Sequence, residues 1–356
     1  MAGQRGQGAL FLQGFDVRWH ARPHRVSGLG FGASGVGDDG ELLGRIWGRI
    51  RGGTWASGAA ASDAASLQVK YAAIQSPGVH VSTARAELVL RGSRRQRDEE
   101  GPAETSVTVE LDVPVLAGDD ALVAWISGFD FDTTASHENG YTPHAIAVTV
   151  AEPRRLPSGR VAVDVSARLD GAPVPDRRQK LAEYASAATV EVVVVAAEHA
   201  HAERLSTGLD EDVPALEQGA LRRAPQRLPL SAALHDDVRS AVGGLSGFSL
   251  EVDADGPISG RYLRAMTVAV EDERLDLARG SYDAAAALRF ANDGTIPRRL
   301  HVAAHVDVSL LQLHDPAAVR RGRWQSAEGQ QAAVAYPSMA PLPEGPWGAA
   351  APSSPP

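Results

Sequence analysis

The sequence predicts an all-β protein of three tandem antiparallel β-sandwich-like modules, with short helices in the connections and a disordered C-terminal tail. The first observation is a strand motif that occurs three times, in LFLQGFDVRW, AWISGFDFD and GLSGFSLEVD. Its glycines, Gly14, Gly128 and Gly247, are spaced by about one domain length. The second observation is a series of valine-rich segments that alternate apolar and polar residues, which is typical of half-buried strands.

The repeated motif has the two-residue period of a strand. In the middle copy Phe129 and Phe131 lie on one face, whereas Asp130 and Asp132 lie on the other. The apolar face persists in all copies, and the Ser/Gln-Gly step before the phenylalanine predicts a bend in the strand. The repeated phenylalanines are predicted as equivalent core anchors: Phe15, Phe129 and Phe248.

Module one is predicted over residues 1–117. After the Phe15 strand the alternation is lost in a Gly/Trp-rich insert at about 30–66, and it resumes in SLQVKYAAIQ, VHVSTARAELVLRG and TSVTVELDVPVL. Between the last two strands, RGSRRQRDEEGPAE has charges of both signs, which favours a solvated hairpin tip over a binding patch.

Module two is predicted over residues 118–204. HAIAVTVAEP, GRVAVDVSARLDG and ATVEVVVVAAE follow its first strand, and the near-continuous valine of the last indicates a central strand. DRRQKLAEYASAA, before that strand, is predicted as a short helix.

A proline-containing linker with a second short helix is predicted over 205–240. The helix is assigned to SAALHDDVRSAVGG, with Ser231 as N-cap and Gly243-Gly244 at its end. Module three follows at 241–315, and residues 316–356 are predicted as an irregular, Pro-rich tail. Four or more antiparallel strands with one buried face need a second layer, so each module is predicted to form a sandwich or to cover its open face with a neighbour.

Composition excludes several function classes. The chain has 356 residues, a formal net charge of −9 and no cysteine, which argues against phosphate-neutralising nucleic-acid binding, disulfides and thiolate metal sites. No apolar run has the roughly 20 residues of a membrane span. The apolar stretch at the N-terminus is too short for a signal-peptide core. We therefore expect a cytoplasmic protein, or one incorporated into a particle assembled in the cytoplasm.

Two groups of residues have metal-ligating chemistry, although no metal or other cofactor is predicted. Asp130 and Asp132, with Glu138 and Asn139 in the next loop, present hard oxygen ligands suited to Ca²⁺. The alternative is an exposed strand face, which the arginine at the equivalent position of module one favours.

The second group consists of histidines on strands. His199, His201 and Glu203 share one face of a strand and could supply three Zn²⁺ ligands, and His301, His305 and Asp307 likewise share a face in module three. The two sets do not match in position. The alternative is solvent-facing or hydrogen-bonded histidine.

No catalytic residue is predicted, and the protein is not expected to be an enzyme. Residues 30–35 match G-x-G-x-x-G, but the segment after them is a poor helix start, so a nucleotide site is not supported. No G-x-S-x-G motif occurs.

The candidate interface lies in RIWGRIRGGTWASG, where aromatic and arginine residues are interleaved. Trp47, Arg49, Arg51 and Trp55 have the chemistry of a protein interface or a sugar-stacking surface. A plain packed insertion is the alternative. Trp19 and Trp125, on the repeated motif, are predicted to be core residues.

The order SGFDFD, AIAVTVAEP and RVAVDVSARLDG in module two resembles the H-type lectin β-sandwich, whose modules bind sugars as trimers. The resemblance carries over no binding residue. The three modules favour a non-catalytic structural or assembly protein, a subunit of a larger, phage-like bacterial particle with protein partners or self-assembly. The alternative is a carbohydrate-binding recognition protein.

Overall fold

The computed structural model describes most of the chain. The described ranges are 5–19, 25–38, 41–53, 65–92, 105–116, 120–132, 141–173, 184–214, 225–254, 262–293, 299–326, 332–335 and 338–339. Every regular element in them is a β-strand, and the strand pairs are antiparallel. The predicted all-β class is therefore confirmed.

The strands are long, and most have alternating burial. In chain order they are β1 (Arg5–Gly6), β2 (Gly8–Trp19), β3 (Arg25–Asp38), β4 (Glu41–Gly53), β5 (Ala65–Gln75), β6 (Val79–Gly92), β7 (Thr105–Leu111), β8 (Asp120–Asp132), β9 (Tyr141–Val150), β10 (Arg154–Arg155), β11 (Val161–Pro173), β12 (Tyr184–Glu198), β13 (Ala200–Pro214), β14 (Gln226–Ala233), β15 (Ser240–Ala254), β16 (Tyr262–Asp276), β17 (Ser281–Asp293), β18 (Arg299–Leu313), β19 (Ala318–Gln325), β20 (Ala332–Ala335) and β21 (Ser338–Met339).

Hydrogen bonds connect these strands into one network that contains three sheets of the same plan. Sheet I has the order β14–β17–β16–β2–β5–β19. Sheet II has the order β6–β12–β8–β3–β4, with β1 on β6 and β20 and β21 on β4. Sheet III has the order β7–β11–β9–β15–β18–β13, with β10 on β11. Short contacts of β3 with β2 and β9 join the sheets.

The three sheets interlock the repeats in a closed ring. We call β2, β8 and β15 the Phe strands, because they carry the repeated phenylalanines. Each Phe strand pairs on one side with a later strand of its own repeat, β5, β12 or β18. On the other side it pairs with the second strand of the preceding repeat: β16 beside β2, β3 beside β8, and β9 beside β15. Every sheet therefore contains strands from more than one repeat.

A β-bulge lies at the same place in each Phe strand. The pairing with the neighbouring strand skips Gln13, Ser127 and Ser246, the residues directly before the repeated glycines. An extra residue reverses the facing of side chains beyond it. This is why Leu12, before the bulge, and Phe15, after it, belong to the same apolar cluster. The bend predicted from the Ser/Gln-Gly step is therefore a bulge.

The main core lies where the three sheets meet. The rings of Phe15, Phe129 and Phe248 contact one another, with centroid separations of 5.1, 5.2 and 5.2 Å. All three side chains are buried and belong to one cluster that receives residues from every sheet. Near-equal separations place these rings around a pseudo-threefold axis. The prediction that the three phenylalanines are equivalent core anchors is confirmed.

A smaller apolar cluster lies on the opposite faces of the Phe strands, before the bulges. Trp125 is fully buried there, stacks on Phe11 at 4.0 Å and donates its Nε1 hydrogen to the carbonyl of Ser309 at 2.8 Å. Gly244 is required beside it, since a Cβ on that residue would lie 2.4 Å from the indole. Trp125 is therefore a core residue, as predicted; the side chain of Trp19 lies outside the described part.

A helix predicted in the connections is wrong where the structure describes it. The helix predicted over Ser231–Gly244 is instead the end of β14, a turn and the start of β15. Propensity favoured a helix, but cross-strand pairing with β17 and β18 determines the structure. The last residues of the predicted helix DRRQKLAEYASAA lie in β12, and its first part falls outside the described ranges. The predicted linker over 205–240 contains most of β13 and all of β14.

The predicted insert and tail also contain strands. β3 and β4 occupy most of the insert at about 30–66, in the places that β9 and β11 hold in the next repeat. Their alternation was hidden by glycine. β19, β20 and β21 lie within the predicted irregular tail over 316–356. The division into sandwich modules stays a prediction. In the described ranges no helix has the length and apolar character needed to cross a bilayer.

Candidate functional site

The outer faces of the sheets carry matched rows of side chains just after the bulges. In each sheet one row crosses the Phe strand, the neighbouring strand of the preceding repeat, and the next strand. The row consists of Asp16, Thr267 and Arg289 in sheet I, Asp130, Gly30 and Arg49 in sheet II, and Ser249, Ala147 and Arg168 in sheet III. An arginine therefore occurs at the same register position in all three sheets.

Each of these arginines binds a carboxylate on the Phe strand of the next repeat. In sheet I the buried Arg289 donates to Asp16 at 2.6 Å and to the hydroxyl of Thr267 at 3.1 Å. Burial lowers the pKa of Arg289, and the neighbouring Asp16 opposes that change. In sheet II Arg49 binds Asp130. We call these contacts the arginine clasps, because each joins two repeats across a shared sheet.

The clasp of sheet III shows how the carboxylate can shift position. Ser249 stands where the other Phe strands have aspartate, and the carboxylate comes from Glu251, two residues further along the strand. Arg168 binds both Glu251 oxygens, at 2.9 and 3.1 Å. Paired guanidinium and carboxylate groups of this geometry are strong and directional.

Trp47, one row nearer the bulge, distinguishes sheet II from the other two. The side chain is half-buried on the outer face, and its indole covers three glycines on β3 and β8. A Cβ on Gly32 would lie 2.3 Å from Nε1, and one on Gly30 would lie 2.8 Å from Cζ3. A Cβ on Gly128 would lie 3.3 Å from Cζ2. Only glycine at positions 30 and 32 leaves room for this indole.

Two charged pairs lie beside the indole. One is the Arg49–Asp130 clasp. In the other, Arg45 binds Glu191 at 3.3 Å, and its guanidinium carbon lies over the indole, 5.8 Å from the ring centroid. We call the indole, its glycine floor and these two pairs the Trp47 platform.

The structure places two of the four predicted interface residues together. Trp47 and Arg49 lie on the same outer face of β4, and each has a packing or pairing partner within the fold. Arg51 belongs to β4, but its side chain lies outside the described part, as does all of Trp55. The role of these residues as an interface stays a prediction.

The candidate calcium ligands separate into different environments. Asp130 is engaged by Arg49, as described above. Asp132 is two residues further on, at the end of β8. Glu138 and Asn139 lie outside the described ranges.

The candidate zinc ligands on β18 form an ion-pair network instead. Asp307 accepts hydrogen bonds from Arg204 at 2.6 Å and from Ser206, and lies 2.9 Å from the exposed His305. Desolvation alone would raise the pKa of Asp307, but the hydrogen bonds from Arg204 and Ser206 outweigh it and lower the pKa. The side chain of His301 falls outside the described part.

Three histidines lie together near the start of β13, although their spacing in the sequence did not connect them. The His201 ring stacks on His235 at 3.6 Å and lies 5.2 Å from His314, whereas His199 and Glu203 are exposed. Stacked imidazoles direct their nitrogens along parallel planes rather than toward one point. Within the described ranges, His, Asp and Glu side chains do not gather in threes as metal ligands.

A buried carboxylate that the sequence did not reveal joins sheets I and III. Glu273 accepts hydrogen bonds from Gln13 at 2.6 Å, Tyr282 at 2.6 Å, Arg321 at 2.5 Å and the amide of Gly243 at 3.3 Å. Burial and the proximity of Glu273 raise the pKa of Tyr282 well above its ordinary value. Gln13 is the bulge residue of β2, so the bulge directs its side chain into this network.

Comparisons with protein-family models, with curated proteins and with solved structures found no match to this chain.

Proposed function

We propose that this protein is a non-catalytic structural or assembly subunit, in which one chain takes the place of three copies of a smaller β module. The observation that carries the proposal is the closed ring of shared sheets. Each Phe strand completes a sheet begun by the preceding repeat, and the last repeat returns to the first through β16 and β2. A closed ring of similar units is the plan of cyclic oligomers.

The use of polar residues supports a structural role. The buried and half-buried charges on the outer faces pair across repeat boundaries, as in the clasps of Arg289, Arg49 and Arg168. Glu273 likewise binds donors from four different strands. Groups committed to such pairs stabilise one arrangement of the repeats and are not free to exchange protons with a substrate.

The finer form of the proposal adds three statements. Each repeat, with strands from its neighbour, packs as a β-sandwich. The protein belongs to a larger, phage-like bacterial particle assembled in the cytoplasm. Open strand edges make its contacts, because an unpaired edge is a template for another chain.

The test uses the purified full chain. Light scattering over a wide range of concentrations should show association beyond the monomer, and negative-stain images should show particles of constant shape. Val89 is exposed on the edge strand β6, so Val89→Glu should weaken association without affecting the core. Leu277→Glu, at another exposed apolar position in a turn, is the control and should leave association unchanged. A compact monomer at every concentration, with no partner co-purifying from the native source, would overturn the proposal.

A further inference from the structure

We propose that the Trp47 platform is a saccharide-binding site, with the indole stacking on a sugar ring and the flanking charged pairs binding its hydroxyl groups. The inference does not depend on the structural role proposed above. It begins from the difference between sheet II and its two counterparts, since the rest of the plan is repeated three times.

The fold itself does not require an aromatic residue at this position. The register equivalents of Trp47 are Ser166 in sheet III and Ala287 in sheet I. Both sheets keep the bulge, the neighbouring glycine of the Phe strand and the arginine clasp. Two of three sheets are therefore complete with a small side chain where sheet II has tryptophan.

The residues under the indole also differ from those at the equivalent positions of the other two sheets. The positions of Gly30 and Gly32 hold Ala147 and Thr149 in sheet III, and Thr267 and Ala269 in sheet I. Glycine in the middle of a strand is unfavourable because it adds no packing and loses backbone entropy. Two such glycines beneath one tryptophan indicate a surface built to hold that indole against the sheet.

The groups around the indole have the chemistry that a sugar requires. The ring offers an apolar face with the Arg45 guanidinium over it at 5.8 Å from the centroid, while Glu191, Arg49 and Asp130 offer donors and acceptors around it. Ligand sites commonly combine an aromatic surface with a few placed polar groups. A pyranose has an apolar face of C–H groups and a rim of hydroxyls, which matches this arrangement.

The charges favour a neutral ligand over an ionic one. Each guanidinium is paired with a carboxylate, so the platform has two positive and two negative groups and no net charge. A phosphate would meet two carboxylates, and a cation would meet two guanidinium groups. Hydroxyl groups, which both donate and accept, can use all four.

Unused hydrogen-bonding capacity lies at the same place. Among the residues that the structure describes, nothing hydrogen-bonds to three buried polar atoms of the platform: Trp47 Nε1, Arg49 Nε and Asp130 Oδ1. Buried polar atoms without partners are uncommon in folded proteins. These atoms are buried against the strands beneath the indole, so they mark incomplete pairing under the platform rather than groups that a ligand reaches at its surface.

The experiment screens the full chain against a glycan array and then measures affinity for the bound glycans, as free saccharides, by calorimetry. Trp47→Ala should lower affinity by about 30-fold or more, the size typical of a binding hot spot. Trp47→Phe keeps an aromatic ring and should lose less. Ser166→Ala, the matched change at the same register of sheet III, should bind as the unmodified protein does. Thermal unfolding of each variant confirms that it is folded.

The affinities of these variants distinguish a sugar bound at the platform from a sugar bound elsewhere on the protein. Binding that depends on Trp47 and not on Ser166 supports the site. Binding unaffected by Trp47→Ala would place the sugar elsewhere and overturn the assignment. No binding to any glycan of the array would also overturn it and would leave Trp47 as a cover for its glycines or a protein contact. None of these results alters the association measurements that test the structural role.

Discussion

The inner and outer faces of the three sheets repeat to different degrees. On the inner faces the phenylalanine after the bulge is retained in every copy, as Phe15, Phe129 and Phe248. On the outer faces the position next to the clasp varies from Ala287 to Trp47 to Ser166. Packing around a common axis constrains the inner face of all three sheets equally. The outer faces are not constrained in this way, so a residue that differs from its counterparts there indicates a local role.

The arginine clasps are repeated more closely than the Trp47 position and less closely than the phenylalanines. The arginine is retained at one register position, whereas its carboxylate partner comes from Asp16, Asp130 or the displaced Glu251. Only the pairing across the repeat boundary is needed, and a glutamate two residues further on satisfies it. What is repeated is therefore the arginine–carboxylate pair, and not a carboxylate at one fixed position.

The largest expected effect tests the equivalence of the inner faces. Phe129→Ala should lower the free energy of unfolding by about 3–5 kcal/mol, because it leaves a cavity between two rings that cannot close around it. Phe15→Ala and Phe248→Ala should cost similar amounts, since their ring separations are nearly the same. The measurement is equilibrium denaturation of the full chain.

Phe129→Leu is the control for that series. It keeps most of the apolar volume and should cost roughly 1 kcal/mol. A loss below about 1 kcal/mol for Phe129→Ala, or losses that differ widely among the three positions, would contradict a shared axial core.

The clasps should differ in strength according to burial. Arg289→Ala should cost about 3 kcal/mol, because it removes a guanidinium that is only 4% exposed and leaves the carboxylate of Asp16 largely buried. Arg18 still reaches that carboxylate at 2.8 Å, which keeps the loss at the low end for a broken buried pair. Arg168→Ala, in a more exposed pair, should cost about 1 kcal/mol.

A double-mutant cycle separates pairing from packing in sheet I. If the clasp is the cause, Arg289→Ala in an Asp16→Asn background should cost clearly less than in the unmodified protein. Equal losses for Arg289→Ala and Arg168→Ala would show that burial does not control the strength of these pairs.

Alternation of apolar residues was sufficient to predict most strands and the axial phenylalanines. It failed where glycine replaces the outward residues, as in β3, because Gly30 and Gly32 show no polar alternation. It also failed in β14, where pairing with β17 overrides the local preference of SAALHDD for a helix. The exchange of strands between repeats depends on pairings between distant segments, and a single sequence contains no direct signal for them.

The candidate site was predicted in part, from residue type alone. Interleaved aromatic and arginine residues identified Trp47 and Arg49, but Asp130 and Glu191 come from strands far along the chain. The histidine corner and the Glu273 network likewise unite residues separated by many strands. Internal comparison of the three repeats, once their register is known, is the signal that isolates Trp47.

The glycine floor provides a test of the outer-face comparison. Gly32→Ala should cost about 1–3 kcal/mol, because the new Cβ would lie 2.3 Å from Trp47 Nε1 and the indole must move. Adding Trp47→Ala should restore part of that loss by removing the clash. Thr149→Ala, at the same register of sheet III, should change stability by less than about 0.5 kcal/mol. Additive losses for the Gly32 and Trp47 changes would contradict direct contact.

The smallest expected effect concerns stability in acid. It involves the residues on the strands that pair with the Phe strands at the bulges. The residue paired with the repeated glycine of the Phe strand is Asp307 in sheet III, Glu191 in sheet II and Lys70 in sheet I. The pKa of Asp307 is lowered in the folded protein, so the folded state holds its proton less tightly than the unfolded chain does. Its contribution to stability is therefore present above its ordinary pKa of 3.8 and is lost as pH falls through the lower, folded value. Asp307→Asn should reduce the dependence of unfolding free energy on pH below about 4 and should have a pH-independent cost above it. Glu191→Gln, which removes a longer pair with a more exposed arginine, should lower the free energy of unfolding at neutral pH by less than Asp307→Asn does. If Asp307→Asn kept the full acid dependence, the loss of stability would have to arise from carboxylates elsewhere.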